Sequence, residues 1–511
     1  MPCQSCRLDP EPVLRLVGGR DVEAGVAPCP VSLGDCPLKR LVWGLLGPST
    51  FVGAPFGTRI HDERGDCIEV FALRLRRMKP SGSSAPYRVI VCLGIAYVLL
   101  RPVAFGEVLY PTLALLGLSG LGALLFARQR ASTEIVGVLG MVLAIGLWGT
   151  AIGANNPGVW QHAAVWIVAP LVYGFWVLGA DEGLLRPLFA AIAWATISLS
   201  AVILVYAATQ LGVIADVVPT WLTDAMGAGF GIEEGSTAIR LYGLSTLVAA
   251  APMWVTACLV GDHPVLPARA TRILAAVLAS VASLLGGRNA IVLVLLVVPV
   301  LVVLIRAFIR RDRNMRLSPV AFFGIVSGVL AAPLVVTWTA ENAAVQRTWN
   351  NIVSFFAGTG QSERVEQVAQ LLEGWLQSPF FGHGLGATIP GYWRSDDRPW
   401  NFEMQYHMLL FQFGVLGCTL ILAMVAFAIR AVVRAAEARP DLTPVMVVAI
   451  TPAIAMLIAN ATNPYLQAPG HMWAIFLPLL VANVALVNPQ TTGHSEGVVT
   501  RRAVDRRATA M

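Results

Sequence analysis

Apolar runs about as long as a bilayer-spanning helix follow one another through most of this 511-residue chain, with few charges between them. A helix crossing the hydrocarbon core needs about 20 predominantly apolar residues. Such runs lie near 87–105, 109–126, 134–153, 160–178, 187–211, 240–260, 270–286, 289–309, 318–339, 405–430, 443–461 and 468–487. They predict an all-α polytopic membrane protein of about 12 transmembrane helices, the first interrupted by Arg101 and Pro102. Composition agrees. The chain is 56% hydrophobic and 13% charged, where a soluble domain carries about 25% charge. Its mean hydropathy is +0.68. The +6 balance does not point to nucleic acid, because the basic residues cluster in short connections between runs.

Those connections set an orientation. One side carries Arg74, Arg76, Arg77 and Lys79, then Arg128 and Arg130, Arg186, Arg269 and Arg272. It continues with Arg306, Arg310, Arg311, Arg313 and Arg316, then Arg430, Arg434 and Arg439, and the tail Arg501, Arg502, Arg506 and Arg507. A Lys/Arg excess marks cytoplasmic loops, so both termini are expected in the cytoplasm. The opposite side holds Asn155–Gly158, the acidic residues Asp216, Asp224, Glu233 and Glu234, the turn at 286–288 and a large polar loop over 341–404.

Three regions follow. Residues 1–84 lack sustained periodicity and are rich in Gly, Pro, Cys and Arg. They read as a disordered cytoplasmic extension, or as upstream sequence joined by a wrong start, with Met78 resembling a natural beginning. Residues 85–487 form the membrane domain, and 488–511 a basic, disordered cytoplasmic tail. Cys3 and Cys6 resemble half a zinc site with no second pair, so no metal site is expected. Cys92, Cys258 and Cys418 lie in apolar runs and read as small core residues.

The large loop is expected to be folded. In 362–377 (SERVEQVAQLLEGWLQ), Val365, Val368, Leu372 and Trp375 share one helical face. Ser362 can cap the start, and Pro379 stops the helix. A second short helix is expected over 343–357. The glycine-rich stretch SPFFGHGLGA (378–387) then turns the chain, and a Trp/Arg/Asp segment (392–400) precedes re-entry near Gln405.

Two arginines stand out at the outer ends of apolar runs. Arg240 opens the sixth run, and Arg288 follows Gly286 and Gly287 between the seventh and eighth. Charge beside hydrocarbon needs a partner. Such arginines either snorkel to lipid phosphate or bind a phosphate ligand, which the guanidinium grips bidentately. A lipid-linked diphosphate fits. The candidate proton acceptors are His383, Glu403 and His407; Glu403 and His407 share a face if the helix already includes 403. The alternatives are a turn histidine at 383 and a helix-start carboxylate at 403. Arg347, Arg364, Arg394 and Arg398 could bind acidic groups or pair with neighbouring carboxylates. Trp393 and Trp400 could stack on sugars or sit in an interfacial belt. His471 reads as structural.

In these residues the chain resembles the O-antigen ligase and O-antigen polymerase superfamily of bacterial envelope glycosyltransferases, over about residues 85–487. Four pieces carry the resemblance: Arg-x-x-Gly at 240–243; Gly-Gly-Arg at 286–288; Arg364 leading to SPFFGHGLG at 378–386; and EMQYHMLLFQFG at 403–414, with Gly417 after it. The resemblance implies an inner-membrane, metal-independent, inverting transferase without a cofactor. Its donor would be an undecaprenyl-diphosphate-linked glycan and its acceptor another glycan or lipid A-core. A chain-length regulator protein is an implied partner. Arg240 and Arg288 would hold the diphosphate, with Arg364, Arg394, Arg398 and Tyr406 also binding substrate. Glu403 stands where the ligases have histidine, Met404 replaces their asparagine, and His407 replaces an aliphatic residue. This departure favours a polymerase over a ligase, and the ligase's base is then Glu403, His383 or absent. The rival reading is a secondary transporter or lipid-linked glycan flippase, which about 12 spans would also suit. A third is a non-catalytic scaffold for an envelope polysaccharide machine.

Overall fold

In the computed structural model the described residues are 85–101, 108–126, 130–215, 217–233, 236–285, 289–310, 362–393, 396–461 and 463–489. The N-terminal extension, the run at 318–339, the loop through 361 and the tail from 490 lie outside them, as do Arg288, Arg347 and Arg394.

The chain is predominantly helical. In order it forms α1 (Ala85–Leu100), α2 (Leu109–Phe126), α3 (Thr133–Ile152), α4 (Val159–Ala163), α5 (Ala169–Leu178), α6 (Glu182–Gln210) and α7 (Thr220–Ala225). Strands β1 (Gly229–Glu233) and β2 (Ser236–Arg240) follow, then α8 (Leu247–Leu259), α9 (Arg269–Leu285) and α10 (Asn289–Arg310). The C-terminal part contains α11 (Ser362–Gln377), α12 (Gln405–Ala438), α13 (Thr443–Ala459) and α14 (Trp473–Val487). Among the described residues, six helical stretches are long and apolar enough to cross a membrane: Thr133–Ile152, Val159–Leu178, Glu182–Gln210, Gln405–Ala438, Pro440–Ala459 and Pro469–Val487. Shorter apolar helices accompany them at Ala85–Leu100, Leu109–Leu125, Gly243–Leu259 and Val294–Ile309. Large apolar side chains such as Leu304, Leu422 and Phe427 point away from the protein core. This is the surface expected where the surroundings are hydrocarbon rather than water.

The helices pack as a bundle: α1 on α6, α2 on α5, α8 on α9 and α13, α12 on α3 and α14, and α13 on α14. Trp176, Trp254, Trp473, Tyr173 and Phe189 are fully buried in its core. Glycines set the closest approaches. A Cβ on Gly120 would meet the Phe175 carbonyl oxygen at 2.3 Å, and one on Gly146 the Trp166 carbonyl oxygen at 2.4 Å. Small residues let helices approach this closely where no hydrophobic effect drives them together.

One end of the bundle is laced with ion pairs. Arg88 pairs with Asp181, Arg434 with Glu134, and Arg439 with Glu182 (3.2 Å) and Asp441 (2.8 Å). These groups lie at the starts of α1, α3 and α6 and the end of α12, on the connections that carry the Lys/Arg excess.

Two expectations need correction. Arg240 does not open a helix. It ends β2, paired with Gly229 in a two-stranded antiparallel ribbon. A 3-10 turn at Tyr242–Thr246 intervenes before α8 begins at Leu247. The β-branched Thr237 and Ile239 suit the extended conformation. Glu403 also precedes its helix, so it and His407 are not joined by one helical turn. The side-chain oxygen of Gln367 accepts from the amides of Glu403 and Met404, both at 2.8 Å, and α12 starts only at Gln405. Helix α11 forms as expected, and its buried face is Gln367, Leu371 and Gly374, with Val368, Leu372 and Trp375 partly buried beside it and Val365 exposed. This face is innermost because Gly374 admits Phe411, whose ring would lie 2.8 Å from a Cβ there, and because Gln367 is drawn inward to hold the 403–404 backbone.

Candidate functional site

The glycine segment after α11 is built into the bundle. Gly382, Gly384 and Gly386 have φ of 72°, 78° and 72°, a left-handed conformation that disfavours other residues. Their neighbours also leave no room for a side chain. A Cβ on Gly384 would lie 2.1 Å from the Gly153 nitrogen, and one on Gly386 2.1 Å from the Gly158 carbonyl carbon. The backbone is fastened on two sides. The Leu385 amide donates to the Gly149 carbonyl (2.9 Å), and the Gly158 amide to the Gly386 carbonyl (3.1 Å). Asn156 Nδ2 donates to the carbonyls of His383 (2.8 Å) and Leu385 (3.0 Å). The amides of His383 and Gly384 bond the carbonyls of Phe411 and Gln412 in α12 (2.9 and 2.8 Å).

This framework carries the candidate residues. Arg364, in the first turns of α11, places Nε 2.9 Å from Glu403 Oε2. The carboxylate is the more enclosed partner, with 15% of its side chain exposed against 32% for Arg364. His383 stacks on Phe411 with ring centroids 4.7 Å apart, and its Nε2 lies 2.8 Å from the Gly374 carbonyl. A carbonyl only accepts, so Nε2 donates. The imidazole thus joins α11 to the glycine segment. His407 is half-buried in the first turn of α12. Tyr406 turns to α13, donating its hydroxyl to the Leu457 carbonyl at 2.6 Å. Arg398 is exposed in the segment before α12. Trp400 donates Nε1 to Gln161 Oε1 (2.8 Å) and lies over Gly158, whereas Trp393 is exposed.

Residues not singled out by the sequence connect this group to the Arg240 segment. Gln467, in the turn between α13 and α14, donates Nε2 to the Phe402 carbonyl and Gln405 Oε1, both at 2.9 Å. Two residues earlier, the Tyr465 carbonyl lies 2.6 Å from His471 Nδ1; His471 Nε2 lies 2.8 Å from Ser245 Oγ. Ser245 belongs to the 3-10 turn just after Arg240. The Thr246 hydroxyl and Gly243 pack that turn on the end of α1, at the Leu99 and Leu100 carbonyls. The structure therefore joins Arg364 to Glu403 directly and links both to the Arg240 segment through the 465–471 turn. Of these connecting residues the sequence marks only His471, as structural. Gln367, Asn156, Ser245 and Gln467 carry no motif that would have marked them.

Among the described residues no group of three His, Cys, Asp or Glu side chains is placed to hold a metal ion. A comparison with protein-family models finds none that matches the chain, and a comparison with curated proteins finds no match.

Proposed function

We propose that the chain is a bacterial inner-membrane glycosyltransferase that polymerises or transfers an undecaprenyl-diphosphate-linked glycan in surface-polysaccharide biosynthesis, with polymerisation favoured over transfer to lipid A-core. About 12 spans, cytoplasmic termini and a periplasmic site belong to this reading. The observation that carries it is the linkage of three motif segments far apart in sequence. The Arg240 segment, the Arg364 helix with its glycine turn, and the start of α12 are joined by hydrogen bonds and one ion pair.

In this reading Arg240 and Arg288 hold the diphosphate and stabilise it as leaving group, since a guanidinium placed where charge develops lowers the barrier. The acceptor hydroxyl oxygen attacks the anomeric carbon. The glycosidic bond forms as the bond to the diphosphate oxygen breaks, with inversion. Glu403 takes the hydroxyl proton, its carboxylate oriented by Arg364. His383 supports the fold, because its ring is committed to the Gly374 carbonyl and the Phe411 face.

Purified protein should form glycosidic bonds from a lipid-diphosphate glycan in the presence of a chelator, and the R240A and R288A variants should not. Full activity in both variants would remove the arginines from the mechanism. Movement of the lipid-linked glycan across proteoliposomes, with no new glycan bond, would put a flippase in place of the transferase.

A further inference from the structure

Helix α12 departs from helical geometry at one internal residue, Gly414, at φ 61° and ψ −171°. Four backbone groups around this break bond outside the helix. The Phe411 and Gln412 carbonyls accept from the amides of His383 and Gly384; the amides of Val415 and Leu416 donate to the carbonyls of Pro379 (2.9 Å) and Phe380 (3.1 Å). In an unbroken helix the same four groups would satisfy one another, Val415 to Phe411 and Leu416 to Gln412. The helix has a full set of partners either way. What changes is whether 379–384 is held.

The fit of the two segments is reciprocal. A Cβ on Gly414 would stand 2.4 Å from the Phe380 carbonyl oxygen, and one on Gly382 would stand 2.4 Å from the Gln412 carbonyl oxygen. A second observation bears on the same place. Gln412 is 0% exposed, and among the described residues neither Nε2 nor Oε1 has a hydrogen-bond partner. A buried amide without a partner disfavours the arrangement that encloses it. The broken form of α12 is thus held by the latch bonds and opposed by Gln412.

We propose that Gly414 is a one-residue hinge and that residues 379–384 are its latch. In the second state Gly414 takes helical angles, α12 becomes continuous, and the glycine segment is let go. Glu403, Tyr406 and His407 lie on the N-terminal side of the hinge, while Arg364 belongs to α11. Gln367 and Arg364 of α11 grip 403–404, so the swing carries this group together relative to the part of α12 beyond Gly414 and so reshapes the candidate site. The inference stands on backbone geometry and does not depend on the chemistry proposed above.

Site-resolved amide hydrogen exchange on the full-length protein in nanodiscs tests it. Val415 and Leu416 have partners in both states, whereas His383 and Gly384 have them only when latched. The latter two amides should exchange on the order of tenfold faster than the former. G414A favours helical angles and should speed exchange at His383 and Gly384 further; Q412M removes the buried amide and should slow it. Equal protection of all four amides would make the break static, and parallel loss of all four would be simple unfolding. Either result, or no slowing in Q412M, overturns the hinge. Should G414A not accumulate, the wild type and Q412M decide alone.

Discussion

His471 holds Ser245 and Tyr465 at once: Nε2 lies 2.8 Å from the serine Oγ and Nδ1 lies 2.6 Å from the tyrosine carbonyl. The carbonyl can only accept, so Nδ1 bears the proton and Nε2 accepts from the serine hydroxyl. The ring is fully buried, which makes this tautomer a fixed part of the interior. Through it, the turn after Arg240 is registered against the turn whose Gln467 grips Phe402 and Gln405.

Removing the imidazole should therefore loosen two segments. H471A removes the bond to Ser245 Oγ and one of the bonds to the Tyr465 carbonyl, which also accepts from the Ala468 amide at 3.2 Å; each hydrogen bond lost costs about 0.5–1.5 kcal/mol. S245A removes one of the same two contacts. The pair should be less than additive in a thermal-unfolding double-mutant cycle. Strictly additive losses would mean that the two side chains do not act together.

Glu403 is the sharper chemical test. E403Q keeps the volume and removes the proton acceptor, so turnover should fall by about 10²- to 10⁴-fold, the usual contribution of a positioned base. The fold should survive, because the 403–404 backbone is held by Gln367 rather than by the carboxylate. R364K should also lose activity: a lysine ammonium lacks the planar fork that orients a carboxylate. Circular dichroism and single-turnover rates on the same samples separate the effects. An E403Q enzyme at full speed would assign the proton to another group.

Much of the architecture was legible in the apolar runs, because each run is a local property. The stretches read at 134–153, 187–211 and 443–461 return as Thr133–Ile152, Glu182–Gln210 and Thr443–Ala459. Pro379 likewise marked where α11 ends. What local pattern could not show was decided by distant partners. Arg240 looked like a helix start, but its strand pairs with Gly229. Which residues of α11 are most deeply buried is set from outside it, because the demands on Gly374 and Gln367 come from Phe411 and the 403–404 amides. At the site, the glycines of SPFFGHGLG announced a special backbone, yet its docking partner is a helix break that Gly414 alone scarcely marks. Gln467 and Asn156 were silent because a polar residue in a turn is ordinary until its partners are known.

The same contrast gives a graded prediction for the glycines. Alanine at Gly384 or Gly386 meets backbone atoms at 2.1 Å and takes up a left-handed φ. The conformation alone costs roughly 1–2 kcal/mol, and the backbone collision adds to it, so these variants should accumulate poorly or melt early. At Gly391 the φ is 77° but nothing lies within reach of a new Cβ; G391A should show only the conformational part. In α3, Gly137 and Gly140 have open space and helical angles. Alanine there should be neutral or stabilising by up to about 1 kcal/mol. Melting temperatures in one detergent check the order, and a G384A protein as stable as G391A would contradict the docked position of the segment.

The opposite end of the bundle supplies a pH dependence. Burial pushes the His263 imidazole below its ordinary range, and Arg439 lowers it further, while Asp441 and Glu182 act in the other direction. The Val265 amide donates to Nδ1 at 3.2 Å, a bond that the protonated ring cannot accept. The folded protein thus favours the neutral ring, and the unfolded chain takes up the proton first as pH falls. The resulting stability is complete above the unfolded value of about 6.5 and is lost as pH falls from there through the lower folded value. Melting temperature should begin to decline as pH falls below about 6.5, before most carboxylates titrate. H263Q should flatten part of that decline. An unchanged slope in H263Q would show that the proton taken up on unfolding belongs elsewhere.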